Sequence, residues 1–400
     1  MILPRVKIQF LNGQLGTVGE SADGLMALIC GATAVASKME LNTVYSITSM
    51  DDLMALGVTS ENNAALYKHV SEFYDEAGAG TKLIIYPVKP LATMTALCEY
   101  TKTEGGYARD LITKQNGNLR CIGLANLNVG GNLDSSEGLD PDVFKALPKA
   151  QQLAEWATTD LFAPMFFILE GRNYDGTKAL KDLTKENYDR VGIAIGDTVA
   201  SSKGASIGTL LGRVASIPVQ RNIGRVKDGA LAPLQMYLGG SKIDESESAI
   251  RGIFEKGYIV PRKYVGRTGY FYADDNLACD PTGDYSHIAP RRVIDKAYRI
   301  AYDLLLNMLL DELEVNEDGT LQVGIVKSWQ QTVENGINKQ MTANGELCAS
   351  ADGEGCKCFI DETQNVVSTS RVVVTLKVRP YGYARYVDVN LGFLVETNNS

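Results

Sequence analysis

Residues 274–292, DDNLACDPTGDYSHIAPRR, gather the side chains in this sequence best suited to chemistry. They hold Asp274, Asp275, Asp280 and Asp284, Cys279, and His287, one of only two histidines in the chain. Carboxylates beside an imidazole can ligate a metal or act as an acid–base pair. The spacing supports neither role. A calcium loop needs acidic or amide residues at alternate positions, then glycine and a later glutamate, and this stretch lacks that order. Cys356 and Cys358, with Cys348 nearby, form a second candidate. Structural zinc wants four ligands, commonly as two close pairs, and no second pair exists. On a strand Cys356 and Cys358 would share a face, as ordinary thiols or as a disulfide. No Gly-x-Ser-x-Gly or His-Glu-x-x-His occurs, and His69 sits in a helical pattern. A nucleophile–base triad is therefore unsupported, and no catalytic, metal or cofactor residue is assigned.

Two glycine-rich stretches invite a phosphate reading. Gly78–Lys82, GAGTK, follows a helix and precedes a strand, the reverse of the order that aims a helix N-terminus at an anion. Val191–Gly212 has the right order of strand, loop and helix but lacks Gly-Lys-Ser/Thr. Its 196–208 loop is the best nucleotide-site candidate. Gly204, Ala205, Ser206 and Gly208 equally let a helix pack closely on a neighbour, and that reading is preferred.

The bulk numbers narrow the class. A net charge of −9 and a pI near 5.0 argue against a nucleic-acid partner. No apolar run approaches the roughly 18 residues of a membrane span. The first residues lack a signal-peptide pattern, so they are expected to stay in the mature protein. Seven cysteines at scattered positions suit synthesis in a reducing cytoplasm.

The elements that must position these residues alternate. Apolar strand-like runs at Leu25–Cys30, Lys82–Val88, Cys121–Leu127, Met165–Gly171 and Arg190–Gly196 are separated by helical spacing at 62–78, 91–100, 141–157 and 205–216. That order predicts a mostly parallel sheet flanked by helices. Pro148 is expected to kink the third of those helices. Two further helices are expected at about 290–313 and 323–342. The C-terminus reads as strands, with Val372, Val374, Leu376 and Val378 on one face, Lys377 and Arg379 on the other, and a turn at 380–382. A lone alternating strand carries Val6, Ile8 and Phe10 and needs a partner sheet.

The helix after Pro290 has a broad apolar face but charges set against its dipole. Arg291 and Arg292 crowd the positive end, while Asp311, Glu312 and Glu314 lie at the negative end. Each such placement costs a few tenths to about 1 kcal/mol when exposed. Partners are therefore expected, either the preceding aspartates in cis or another subunit in trans.

Thr268–Leu306, TGYFYADDNLACDPTGDYSHIAPRRVIDKAYRIAYDLLL, resembles the core of contractile tail sheath proteins of phages and phage-like injection systems, with a Gly/Tyr strand and an Asp-rich loop leading into an RRVIDKA-like helix. Gly212–Leu231, GRVASIPVQRNIGRVKDGAL, is similar to a segment of the same family. The resemblance runs from about residue 187 to the C-terminus. It implies an α/β fold with a mostly parallel sheet, plus an α+β sheath-type C-terminal domain with extended terminal β-arms. The expected organisation is an arm over 1–20, an α/β domain over 21–257, and a domain over 258–400 ending in an arm at 385–400. It further implies a non-enzymatic homo-oligomer of stacked hexameric rings around an inner tube protein, with baseplate and tail terminator proteins as partners. Such a subunit belongs to a virion tail or contractile particle built in the bacterial cytoplasm, and does not itself insert into a membrane. The arms would be Val6, Ile8 and Phe10 at one end and Val387, Val389, Leu391 and Phe393 at the other. Charges meeting neighbours or the tube would be Arg291, Arg292, Arg221, Arg225, Lys227, Asp274, Asp275, Asp280 and Asp284. Two alternatives remain: a nucleotide-binding protein or enzyme using 196–208, and a non-contractile tube or baseplate protein.

Overall fold

Six strands, five of them parallel, make the central sheet of a computed structural model that describes residues 23–100, 107–128, 137–389 and 391. In chain order they are β1 (Met26–Gly31), β2 (Tyr45–Ile47), β3 (Leu83–Val88), β4 (Cys121–Ala125), β5 (Phe166–Glu170) and, after the short β6 (Asn187–Tyr188), β7 (Val191–Ala194). The spatial order is β2-β3-β1-β4-β5-β7, with β2 antiparallel to β3. β1, β3, β4, β5 and β7 are buried along their whole length. Burial on both faces removes any need for alternation, which is why these strands read as unbroken apolar runs.

Helices cover the sheet. α1 (Ala64–Ala77) and α3 (Ile207–Ser216) pack on each other and over the sheet. Gly123 of β4 lets α3 down onto the strand: a Cβ there would lie 2.7 Å from Ile207 Cγ2 and Leu211 Cδ1. α2 (Pro141–Thr159) begins with Pro141 in its first turn and Asp140 capping the Asp142 N–H. It continues through Pro148 to Thr159. The run at 91–100 yields only one helical turn, Met94–Leu97.

This unit runs from Met1 to Leu313, past the expected boundary at 257/258. The reason is a further pairing: Ile259 adds alongside β7, with its N–H donating to the Ile193 carbonyl at 2.9 Å and its carbonyl accepting from Ile195. Tyr258, Ile259 and Val260 are fully buried in the same core. A two-residue strand, β8 (Ala278–Cys279), pairs with β6 and brings the Asp-rich loop to the long helix α4 (Ile288–Leu306). α4 ends seven residues earlier than the apolar spacing suggested. Leu310 has φ +63°, and the apolar side chains of Leu306, Leu309 and Leu310 are exposed.

The second unit is Glu314–Ser400. Helix α5 (Val323–Ile337), continued by a π turn at Asn338–Thr342, packs on a two-stranded antiparallel ribbon, β9 (Cys356–Ile360) and β10 (Val374–Val378). Cys356, Cys358 and Ile360 are buried while Lys357 and Phe359 between them are exposed. The two cysteines thus share a face as free thiols, and burial pushes both up to about 11.

Candidate assembly surfaces

The joint at the start of α4 is built from the loop before it. The Asp275 carbonyl accepts the Ile288 N–H and its Oδ2 accepts the Ala289 N–H, both at 2.8 Å, so an external carboxylate caps the helix. The Asn222 amide donates to both Asp274 and Asp275, while its Oδ1 accepts the Gly224 N–H at 2.7 Å. His287 lies 3.7 Å from Asp274 and shares a hydrogen bond with the Ser286 hydroxyl. Asp274, Asp275 and His287 place ligand atoms within 4.8 Å of one another, close enough for a cation. A cation there would displace the Asn222 amide, which already bridges the two carboxylates.

Arg291 and Arg292 are buried, at 6% and 5% exposure, and their contacts lie inside the chain. This corrects the expectation that they meet a neighbour or the tube. Arg291 pairs with Asp189 at 3.0 Å and Asp295 at 3.4 Å and stacks on Tyr285. Its carboxylates therefore come from the β6–β7 turn and its own helix. Burial pulls the Arg291 guanidinium below its ordinary value, opposed by those carboxylates. Arg292 donates to the Ile217 and Pro218 carbonyls at the end of α3. Asp295 is also gripped by both arms of Arg190, at 3.0 and 3.1 Å. Asp274 and Asp275 are equally buried. The dipole mismatch at the far end disappears, because Asp311, Glu312 and Glu314 lie beyond the helix.

What remains on the surface is a smaller set. Asp280 is exposed in a turn with Thr282, and Asp284 is exposed. Arg221 and Arg225 are half-buried and share Asp228, while Lys227 is exposed. Among the described tail residues, Val387, Val389 and Leu391 lie in no strand, with exposures of 75%, 75% and 95%. Val6, Ile8, Phe10 and Phe393 lie outside the described residues.

The 196–208 loop is closed by the protein itself. Open α/β sheets bind ligands beyond the strand carboxyl ends, where the order reverses, here between β1 and β4. At that point Asn126 donates to the Gly31 carbonyl, and a Cβ on Gly31 would lie 2.0 Å from the Asn126 carbonyl oxygen. Glu170 accepts the Asn126 and Ala205 N–H groups. Lys68 pairs with Asp197 and Glu72, and Glu72 accepts from Ser206. Despite burial, Lys68 and the neighbouring His69 and Ser202 hold the Asp197 carboxyl low. Against the same burial, His69 and Lys68 hold Glu72 low. Gly208 and Gly212 bring α3 against α1, where a Cβ would lie 1.9 Å from the His69 carbonyl and 2.7 Å from that of Phe73. Close helix packing, not ligand contact, accounts for the glycines. No motif in the sequence announced this ionic cluster, because its members come from four separate elements.

The fold, a helix-covered sheet and a helix-backed ribbon, has counterparts among solved chains of contractile sheaths. The chain matches one from the anti-feeding prophage helical sheath in its contracted state over 98% of its own length and 99% of the other, with a TM-score of 0.61 at 14% identity. It matches one from the contracted sheath complex of the extracellular contractile injection system PVC over 98% of both, with a TM-score of 0.59 at 13% identity. The chain belongs to the DUF2586 family, whose N-terminal domain covers residues 3–276 and whose C-terminal domain covers 284–398. It is also 27% identical over 195 residues to a protein of Haemophilus phage HP1 (strain HP1c1) assigned as a tail sheath protein. That alignment spans 47% of this chain and half the length of the HP1 protein.

Proposed function

We propose that this chain is the structural subunit of a contractile sheath, with no enzymatic role. Copies stack as hexameric rings around an inner tube protein, closed by baseplate and tail terminator proteins, in a phage tail or related particle assembled in the bacterial cytoplasm. Contraction then drives the tube through a target membrane without the sheath entering it. The observation that carries this reading is the correspondence of fold along almost the whole chain with a helical sheath subunit. Two features support it. The tail exposes apolar residues at alternate positions, Val387, Val389 and Leu391, as a strand awaiting a sheet would. The β9–β10 ribbon has two strands, too few for a sheet to be stable unaided, and its edges can accept another chain's strand. In this reading residues 1–20 and 385–400 are arms that exchange between copies, and Arg221, Arg225, Lys227, Asp280 and Asp284 face neighbours or the tube.

Electron microscopy of the purified protein tests it. Tubes or rings are expected, and removal of residues 385–400 abolishes them while the melting temperature of the subunit stays unchanged. A full chain that remains monomeric at high concentration overturns the sheath reading. Tubes formed by the shortened chain overturn the arm assignment alone. A single tube diameter under every condition favours a non-contractile tube protein instead.

A further inference from the structure

The chain carries two exposed surfaces of complementary chemistry, and we propose that they join successive copies head to tail. The proposal rests on the assembly reading above and adds the residues that would set the axial contact. The first surface is the turn over residues 314–318. Glu314, Glu317 and Asp318 are all exposed, and among the described residues none has a cation within 4.0 Å. The carboxylates are not on a loose thread. Val315 bridges Leu321, the Asn316 N–H donates to the Thr320 carbonyl at 2.8 Å, and Asp318 accepts from the Thr320 N–H and hydroxyl. Gly319, at φ +81°, closes this turn in a conformation that side chains rarely adopt.

The second surface is the outward face of the ribbon. Lys357 of β9 lies directly opposite Lys377 of β10, and Phe359 opposite Thr375. Like charges facing each other weaken an isolated ribbon. Lys357 is shared with Glu354, but Arg371, Lys377 and Arg379 are exposed and, among the described residues, have no carboxylate within 4.0 Å. Between these cations Phe359 and Val373 are 61% and 50% exposed. A cationic face thus matches an acidic turn in charge.

No foreign partner is needed to supply either chemistry, since each copy carries both. Two different patches that fit each other form a heterologous contact, which repeats from copy to copy and generates a helix when it does not close into a ring. Single exposed ion pairs are weak. Here several act together, and the contact recurs at every subunit.

The test uses the full chain and follows assembly by light scattering and electron microscopy at low salt, where exposed charges are least screened. One variant reverses the acidic turn, Glu314→Lys with Glu317→Lys. The other reverses the ribbon, Lys377→Glu with Arg379→Glu. Each alone is expected to raise the concentration needed for assembly about tenfold, with an unchanged melting temperature. An equimolar mixture of the two is expected to assemble nearly as the wild type does, because each reversed surface meets its complement on the other chain. A wild type that assembles while neither reversal has an effect overturns this contact and leaves the sheath reading standing. A chain carrying all four substitutions that assembles, when the mixture does not, places the pairing within one copy and overturns the head-to-tail contact. A wild type that never associates overturns both proposals.

Discussion

Asp295→Ala tests whether the charged joint of α4 is an internal clasp. The carboxylate is 4% exposed and holds Arg190 by two bonds near 3.0 Å and Arg291 at 3.4 Å. Truncation strands two buried cations. Arg291 keeps Asp189 and the Tyr285 ring, but among the described residues the Arg190 guanidinium keeps only the Met165 carbonyl. Removing one partner of a buried ion pair costs about 3–5 kcal/mol. The surviving contacts of Arg291 place the expected cost near the lower end, ~3–4 kcal/mol. In a unit of this size 1 kcal/mol shifts the melting temperature by about 2 °C, so a fall of ~6–8 °C is expected. The assay is thermal unfolding followed by circular dichroism, with Asp280→Ala as the comparison. Asp280 is exposed in its turn, and its loss should cost under about 0.5 kcal/mol. An Asp295→Ala protein within about 1 kcal/mol of the wild type, or an equal loss from Asp280→Ala, would refute the burial argument.

Two other perturbations read the closed crevice. Gly208→Ala drives a Cβ to 1.9 Å from the backbone oxygen of His69, which a flexible side chain cannot relieve; a loss of about 3 kcal/mol or more is expected in urea unfolding. The Asp197 carboxyl is held below its ordinary 3.8. A depressed folded value means that its stabilisation is present above the unfolded value and is lost as pH falls through the folded one. Asp197→Asn should therefore flatten the stability–pH curve in the acid range below about pH 4, while lowering stability at neutral pH; a curve that keeps the wild-type slope would place the acid sensitivity elsewhere.

The sheet was legible because strands buried on both faces advertise themselves as apolar runs. β2 was not, since half-buried Tyr45 and exposed Ser46 leave no such run. Periodicity misled at α4, where Leu306, Leu309 and Leu310 keep a helical rhythm but serve the surface instead of a core. The sequence set Arg291 and Arg292 against the helix dipole, and the structure surrounds them with Asp189, Asp295 and the Ile217 and Pro218 carbonyls. Their exposure was misjudged because the dipole rule describes solvent-exposed ends. Asp295, one turn along, was a readable partner, whereas Asp189 was not, since only the fold brings it near. The unit boundary was hidden for the same reason: the pairing of Ile259 with β7 joins segments far apart in sequence.

The plugged crevice has a consequence for energy supply. Where related topologies admit a fuel molecule, this subunit has seated its own Lys68, Glu72, Glu170 and Asp197. A nucleotide arriving there would have to break the pairs of Lys68 with Asp197 and Glu72 before its phosphates found a cation. In the sheath proposed above, the energy for a stroke would then have to come from a source other than a nucleotide held at this position.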